Sequence, residues 1–267
     1  MHDFNGSSHV TEKERNSYKV TYIYHSGFAV ELETCVLLFD YYKGELPSWE
    51  KEKPIYIFVS HKHGDHFSLK IFDLASQYDN VHFFLSSDVK LSEKYLEKND
   101  ISPAVKEKIT TIGKNQKLSF PAVGAETKMI PLTIETLRST DEGVAFIIEI
   151  EGRTLYHAGD LNWWHWEGEP SPFNENMERD YKKEIDDING RNFDLAFVPL
   201  DPRLGDAYGL GMDYFLSHTE AKRIFPMHLW EEYGYIGKYK STEIGSRFNE
   251  NIIEISAPGQ EFELWNI

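Results

Sequence analysis

His61-Lys62-His63-Gly64-Asp65-His66 places three imidazoles and a carboxylate within six positions, directly after the apolar run Ile55-Tyr56-Ile57-Phe58-Val59-Ser60. Imidazole nitrogen and carboxylate oxygen are ligands that suit zinc and other divalent first-row metals. The run reads as a strand and the cluster as the loop after it. A loop lets these side chains converge, whereas a continuing strand would send alternate ones to opposite faces. With 11 His in 267 residues, chance is a poor explanation for the grouping. The cluster predicts a metal centre.

Other apolar runs end in the same kinds of residue. Thr154-Leu155-Tyr156 leads into His157-Ala158-Gly159-Asp160, Phe193 to Leu200 leads into Asp201, and Ile224-Phe225-Pro226-Met227 leads into His228. Strands that deliver such groups at one end would gather them at one sheet edge. Asp201 alone reads first as a turn or helix cap. Asp160 and His228 gain weight because the six-residue cluster needs distant partners.

Four further residues could act around that centre. Trp163, with Trp164 and Trp166 in Leu161-Asn162-Trp163-Trp164-His165-Trp166, could wall a substrate or simply pack the loop down. Arg203 could clamp a phosphate or carboxylate, or pair with one of the many acidic groups. His25 and His157 could orient metal ligands or be satisfied core histidines.

The elements that must position these groups follow from periodicity. Strands are predicted over Lys19–Tyr24, Phe28–Glu33, Val36–Tyr41, 55–60, Val81–Leu85, Thr110–Ile112, Lys117–Phe120, Lys128–Leu137, Val144–Glu151, Arg153–His157 and Leu195–Leu200. Glu151-Gly152 reads as a hairpin turn. Helices are predicted over Ser68–Ser76 with Ser68 as N-cap, and over Ser87–Lys98, Phe173–Asn189, Thr219–Ile224 and Ser241–Asn249, with the final strands after them. Strands first, then strands alternating with helices in two halves, imply sheets packed on each other with helices outside. Residues 1–17 read as a polar extension and 18–267 as a single domain.

The formal charge of −16, from 44 acidic against 28 basic residues, works against binding nucleic acid or an anionic membrane surface. Met1 to Ser17 lack the apolar segment of a secretory signal, and no stretch approaches the ~20 apolar residues of a membrane helix. Cys35 is the single cysteine, so no intrachain disulfide can form; it reads as a small core residue. The expectation is a cytoplasmic protein acting on a small molecule, of unspecified oligomeric state.

H-x-H-x-D-H at 61–66, A-G-D at 158–160 and P-M-H at 226–228 resemble the metallo-β-lactamase superfamily. Tyr156-His157-Ala158-Gly159-Asp160 is similar to its branch of ascorbate-6-phosphate lactonase-like metal-dependent hydrolases. Tyr24-His25-Ser26-Gly27-Phe28 resembles that branch's G-H-S segment, with Tyr24 where glycine is usual, and Leu38-Phe39-Asp40 resembles its I-D-P. The resemblance spans residues 20 to 230 and implies an α+β fold, a four-layer αββα sandwich with metals where the sheets open.

By matching position, the resemblance implies that His61 and His63 hold one metal. Asp65, His66 and His228 would hold the other, with Asp160 bridging and Asp65 also catalytic. One or two divalent ions are implied, zinc foremost, with manganese or iron as alternatives. The family's third histidine for the first metal is missing from Thr136 to Gly143. Asp141 or water could replace it, His157 could swing in, or the first site could bind weakly, the last being the leading expectation. A metal lowers the pKa of bound water to about 7, so hydroxide becomes available for attack on an ester, lactone or phosphodiester. His63, where the diiron oxygen-reducing members carry Glu, favours hydrolysis. The alternatives are a non-catalytic metal- or ligand-binding module that keeps the fold and, less favoured, a phospholipid-cleaving enzyme.

Overall fold

The apolar runs form strands whose alternate residues serve different layers. The computed structural model describes residues 17–123 and 129–265. The expected polar extension lies outside them except for Ser17, as does Lys128 at the start of one expected strand. In chain order, β1 (Ser17–Tyr24), β2 (Gly27–Glu31), β3 (Val36–Phe39) and β4 (Ile55–Val59) precede a 3-10 turn (Leu69–Asp73) and α1 (Leu74–Gln77). Then come β5 (Val81–Ser86), α2 (Glu93–Lys98), α3 (Pro103–Lys106) and β6 (Ile109–Ile112). The second half holds β7 (Lys117–Val123), β8 (Met129–Arg138), β9 (Val144–Ile150), β10 (Arg153–His157), α4 (Ser171–Asp186) and β11 (Asn192–Pro199). A 3-10 turn (Pro202–Ala207), α5 (Leu210–His218), β12 (Glu220–Met227), α6 (Gly234–Lys240), α7 (Glu243–Arg247) and β13 (Gln260–Trp265) follow.

Among the described residues, one sheet runs β13-β1-β2-β3-β4-β5-β6 and the other β12-β11-β10-β9-β8-β7. The expected αββα layering is present. In β4, Tyr56 and Phe58 face the core between the sheets, while Ile55, Ile57 and Val59 face Ile71, Phe72 and Leu74 outside. Both faces are covered, which is why the strand reads as an unbroken apolar run. Phe28 meets Phe197 across the sheets at 4.6 Å, and Phe58 meets Phe146 edge-on at 5.4 Å. On the far side of the second sheet Tyr156 stacks on Phe215 of α5 at 4.8 Å. Fully burying one such ring is worth about 1.5–3 kcal/mol.

Several boundaries differ from expectation for local reasons. Residues 220–224 form the start of β12, not a helix, because they pair in parallel with β11. The helix lies one segment earlier in α5, and Thr219 closes it by donating from Oγ1 to the carbonyl of Phe215. The helix expected from Ser87 begins only at Glu93, where Ser92 caps it. Ser68 caps a 3-10 turn. Glu151 and Gly152 both take positive φ, as the two-residue turn between β9 and β10 requires. No helix among the described residues is long and apolar enough to cross a membrane.

Topology builds the candidate site's edge. β3 and β4 are parallel, as are β10, β11 and β12. Parallel neighbours end on the same side, so Asp40, Ser60, Asp201 and His228 leave strands β3, β4, β11 and β12 there, with Asp160 just beyond β10. Ligand sites lie at such carboxyl ends in open α/β sheets too.

Candidate metal centre

Two groups of donor atoms form at this edge. His25, Asp65, His66 and His228 each offer one atom, all within 4.8 Å of one another; His61, His63, Asp141 and Asp160 form a second group on the same measure. Asp160 lies between the groups. Its Oδ1 is 3.1 Å from His66 Nε2 and 3.3 Å from His228 Nε2, while Oδ2 is 3.4 Å from His61 Nε2.

The histidines are aimed by partners behind them. His66 Nδ1 donates to Asp40 Oδ2 and His228 Nδ1 to Asp201 Oδ2, both at 2.8 Å. A carboxylate at these distances accepts, which fixes the proton on Nδ1. Ser60 Oγ gives its own proton to Asp40 Oδ2 at 2.6 Å and therefore accepts from His61 Nδ1 at 2.9 Å. All three rings thus turn Nε2 toward the space beside Asp160; at His66, against its own burial, Asp160 and Asp40 raise the pKa well above the ordinary value, so a cation binding there displaces a proton. Such partners set tautomer and orientation in metal sites.

Glycines let two loops close on the 61–66 turn. At Gly143, φ is +71° and an added Cβ would stand 2.0 Å from Ser60 O. Val144 N then donates to that same carbonyl at 3.0 Å, and Asp141 comes to 3.6 Å from His63 Nδ1. At Gly159, φ is +52° and a Cβ would meet Ser60 Cβ at 2.6 Å. No side chain larger than hydrogen fits either position.

The residues present fit a cation. Buried Nε2 atoms of His25, His61, His66 and His228 and Oδ1 of Asp160 make no hydrogen bond. Leaving such groups unpaired costs about 1–3 kcal/mol each, which coordination offsets. Burial lowers the His25 and His61 pKa values to about 4, favouring the neutral, ligating form. Burial opposes charge at Asp160, yet facing His66 and His228 it stays well below the usual carboxylate range. Burial likewise opposes charge at Asp65, but His25 and His66 hold it low and ionised. Asp201, against its own burial, is drawn down to about 2 by His228 and Arg203.

The structure brings His61, His63, Asp65, His66, Asp160 and His228 together, and adds two residues to them. His25, read as an orienting partner or a core residue, sits within the donor group of Asp65, His66 and His228, its Nε2 3.6 Å from Asp65 Oδ2. Asp141 occupies the gap left by the missing histidine. His157 does not swing in. Its Nε2 donates to Ser26 O at 2.9 Å and its Nδ1 accepts from Gly159 N, so it braces the two turns.

Trp163 requires a correction. It turns away from the site toward α4 and α5, where Lys182 lies 4.5 Å over its ring. Alternation along the extended loop instead sends Trp164 and Trp166 into the cavity, stacked at 6.0 Å, with Trp164 5.5 Å from His228. Asp40 and Ser60 carried one legible signal: each ends an apolar run beside the other, as Asp160 and His228 do.

Comparison with known proteins agrees with this architecture. The family described as the Beta-lactamase superfamily domain matches residues 41–175, just over half of the chain. A metal-dependent hydrolase of Alkaliphilus metalliredigens is 30% identical over 152 residues, 53% of this chain and 62% of the relative. The match therefore spans less than two thirds of that relative's length. A metallo hydrolase from Ignicoccus hospitalis shares the fold with TM-score 0.58 at 17% identity, covering 94% of this chain and all of the other. The metallo-β-lactamase fold protein YhfI of Bacillus subtilis does so with TM-score 0.51 at 13% identity, covering 93% and 99%.

Proposed function

Because the chain belongs to the metallo-β-lactamase superfamily, we propose that it is a metal-dependent hydrolase cleaving an ester, lactone or phosphodiester bond in a small molecule. The observation that carries this reading is Asp160, whose two oxygens face separate groups of ligating side chains. His61, His63, Asp141 and Asp160 would hold one divalent cation. His25, Asp65, His66 and His228 would hold the other, sharing Asp160. Bound there, the cations would polarise the scissile group and make water acidic enough to deprotonate near neutral pH.

The chain's own groups divide the remaining work. Asp65 is half-buried, ionised and lines the cavity, so it can take a proton from the attacking water and pass it to the leaving group. Asp40, Ser60 and Asp201 keep the histidines from rotating. Trp164, Trp166, Phe173 and Met177 line the apolar side of a cavity of about 240 Å³, a size suited to a small substrate. We assign zinc first, manganese or iron next. The Tyr156–Asp160 motif supports placing the chain in the branch of ascorbate-6-phosphate lactonase-like hydrolases. The −16 charge favours a small substrate over nucleic acid or an anionic membrane.

The test is a panel of aryl phosphodiesters, lactones and carboxylic esters, assayed on protein of measured metal content with zinc, manganese and iron. Chelator-sensitive turnover of at least one class is expected. One tightly held metal with background turnover of every class would favour the non-catalytic binding module instead.

A further inference from the structure

Arg203 is the only lysine or arginine lining the cavity among the described residues. Three partners hold it. Its Nε lies 3.0 Å from both oxygens of Asp201, and Nη2 completes the pair. The guanidinium carbon lies 4.5 Å from the Trp230 ring and 5.4 Å from Trp166. Trp230 is kept there by an unusual backbone: His228, Trp230 and Glu231 all have positive φ. Strain of this kind costs about 1–3 kcal/mol per residue and collects at functional sites.

A residue that served only to prop Asp201 could be buried with it. Asp201 is fully buried, yet the Arg203 side chain keeps 44% of its surface and opens on the cavity. Its Nη1 has no protein partner among the described residues. A planar guanidinium fixed on one edge and flanked by rings is pre-organised to receive an oxyanion on its free edge. In a chain of net charge −16, one such cation at this rim is a selective feature.

We propose that Arg203 forms an oxyanion subsite, taking a carboxylate or phosphate that the substrate carries away from its scissile bond. The proposal deepens the hydrolase reading and rests on it. Trp164 and Trp166 then flank the part of the substrate between the anion and the metal centre.

The experiment pairs two p-nitrophenyl esters, the succinate monoester with a free carboxylate and the neutral butyrate, on wild type, Arg203→Met and Arg203→Lys of matched metal content. Because Arg203 also holds Asp201 behind His228, Arg203→Met is expected to lower kcat on both esters alike, and in addition to raise KM for the anionic ester roughly tenfold or more relative to the neutral one. Arg203→Lys should retain part of the preference. Equal losses on both esters, or no loss on either, would overturn the subsite and leave hydrolysis standing. A binding arm decides independently of turnover: phenylphosphonate against benzyl alcohol, by calorimetry on the same three proteins. If neither ester is cleaved, ester hydrolysis fails, while a phosphonate preference lost in Arg203→Met still supports the subsite. A preference unchanged in that variant rejects the subsite.

Discussion

Asp40 and His66, 26 residues apart in sequence, meet at 2.8 Å behind the donor atoms, and the same carboxylate takes both the N–H and the hydroxyl of Ser60. One buried acid therefore orients two histidines of the candidate centre, His66 directly and His61 through Ser60. Facing His157, His66 and His61, it stays ionised despite complete burial.

Asp40→Asn keeps the size but cannot accept three donors as a carboxylate does. We expect metal affinity to fall about 10–100-fold, read by competition with a chromophoric chelator. Affinity equal to wild type would remove Asp40 from the orienting role.

Asp141 is exposed and lies outside both cores, so Asp141→Ala should leave the urea midpoint nearly unchanged. Metal analysis should show the loss of one cation of two. Retention of both would mean that the first site does not depend on this carboxylate.

Gly143→Ala and Gly152→Ala separate crowding from backbone strain. Both glycines have positive φ, but only at Gly143 would the new methyl strike Ser60 and His61. Gly152→Ala should cost about 1–2 kcal/mol, and Gly143→Ala clearly more, by urea denaturation. Equal costs would show that the 139–143 turn can yield.

His82 offers a pH test away from the metal centre. Its ring packs 4.4 Å from Phe120 and 4.8 Å from Phe84, and Nε2 lies 2.8 Å from Thr110 Oγ1. Burial, then Lys108, lowers its pKa from 6.5 to about 4. The fold thus favours neutral His82: the contribution is complete above the unfolded value of 6.5 and is lost as pH falls toward 4. His82→Phe should lose less stability than wild type between pH about 7 and about 4. Parallel losses would mean that His82 does not titrate in this window.

The fold and much of the edge were legible because β4, β10, β11 and β12 are apolar runs that stop abruptly at polar residues. Parallel pairing turns those stops into one edge, which a linear pattern only implies. Asp141 was harder to weigh, since its place depends on Gly143 passing against Ser60, a contact between strands far apart in sequence. Trp163 stayed open between substrate wall and packing because a three-tryptophan run does not reveal which members of an extended loop face inward. α5 and α6 escaped because each begins at or beside glycine, and propensity near Gly209, Gly211 and Gly234 argues against helix.

The most direct measurement is a crystal of the metal-loaded protein with an anomalous difference map recorded at the metal's absorption edge. Two peaks are expected, one among His25, Asp65, His66 and His228 and one among His61, His63 and Asp141, each within coordination distance of Asp160. A map with no peak beside Asp160, from protein shown to carry metal, would contradict the account.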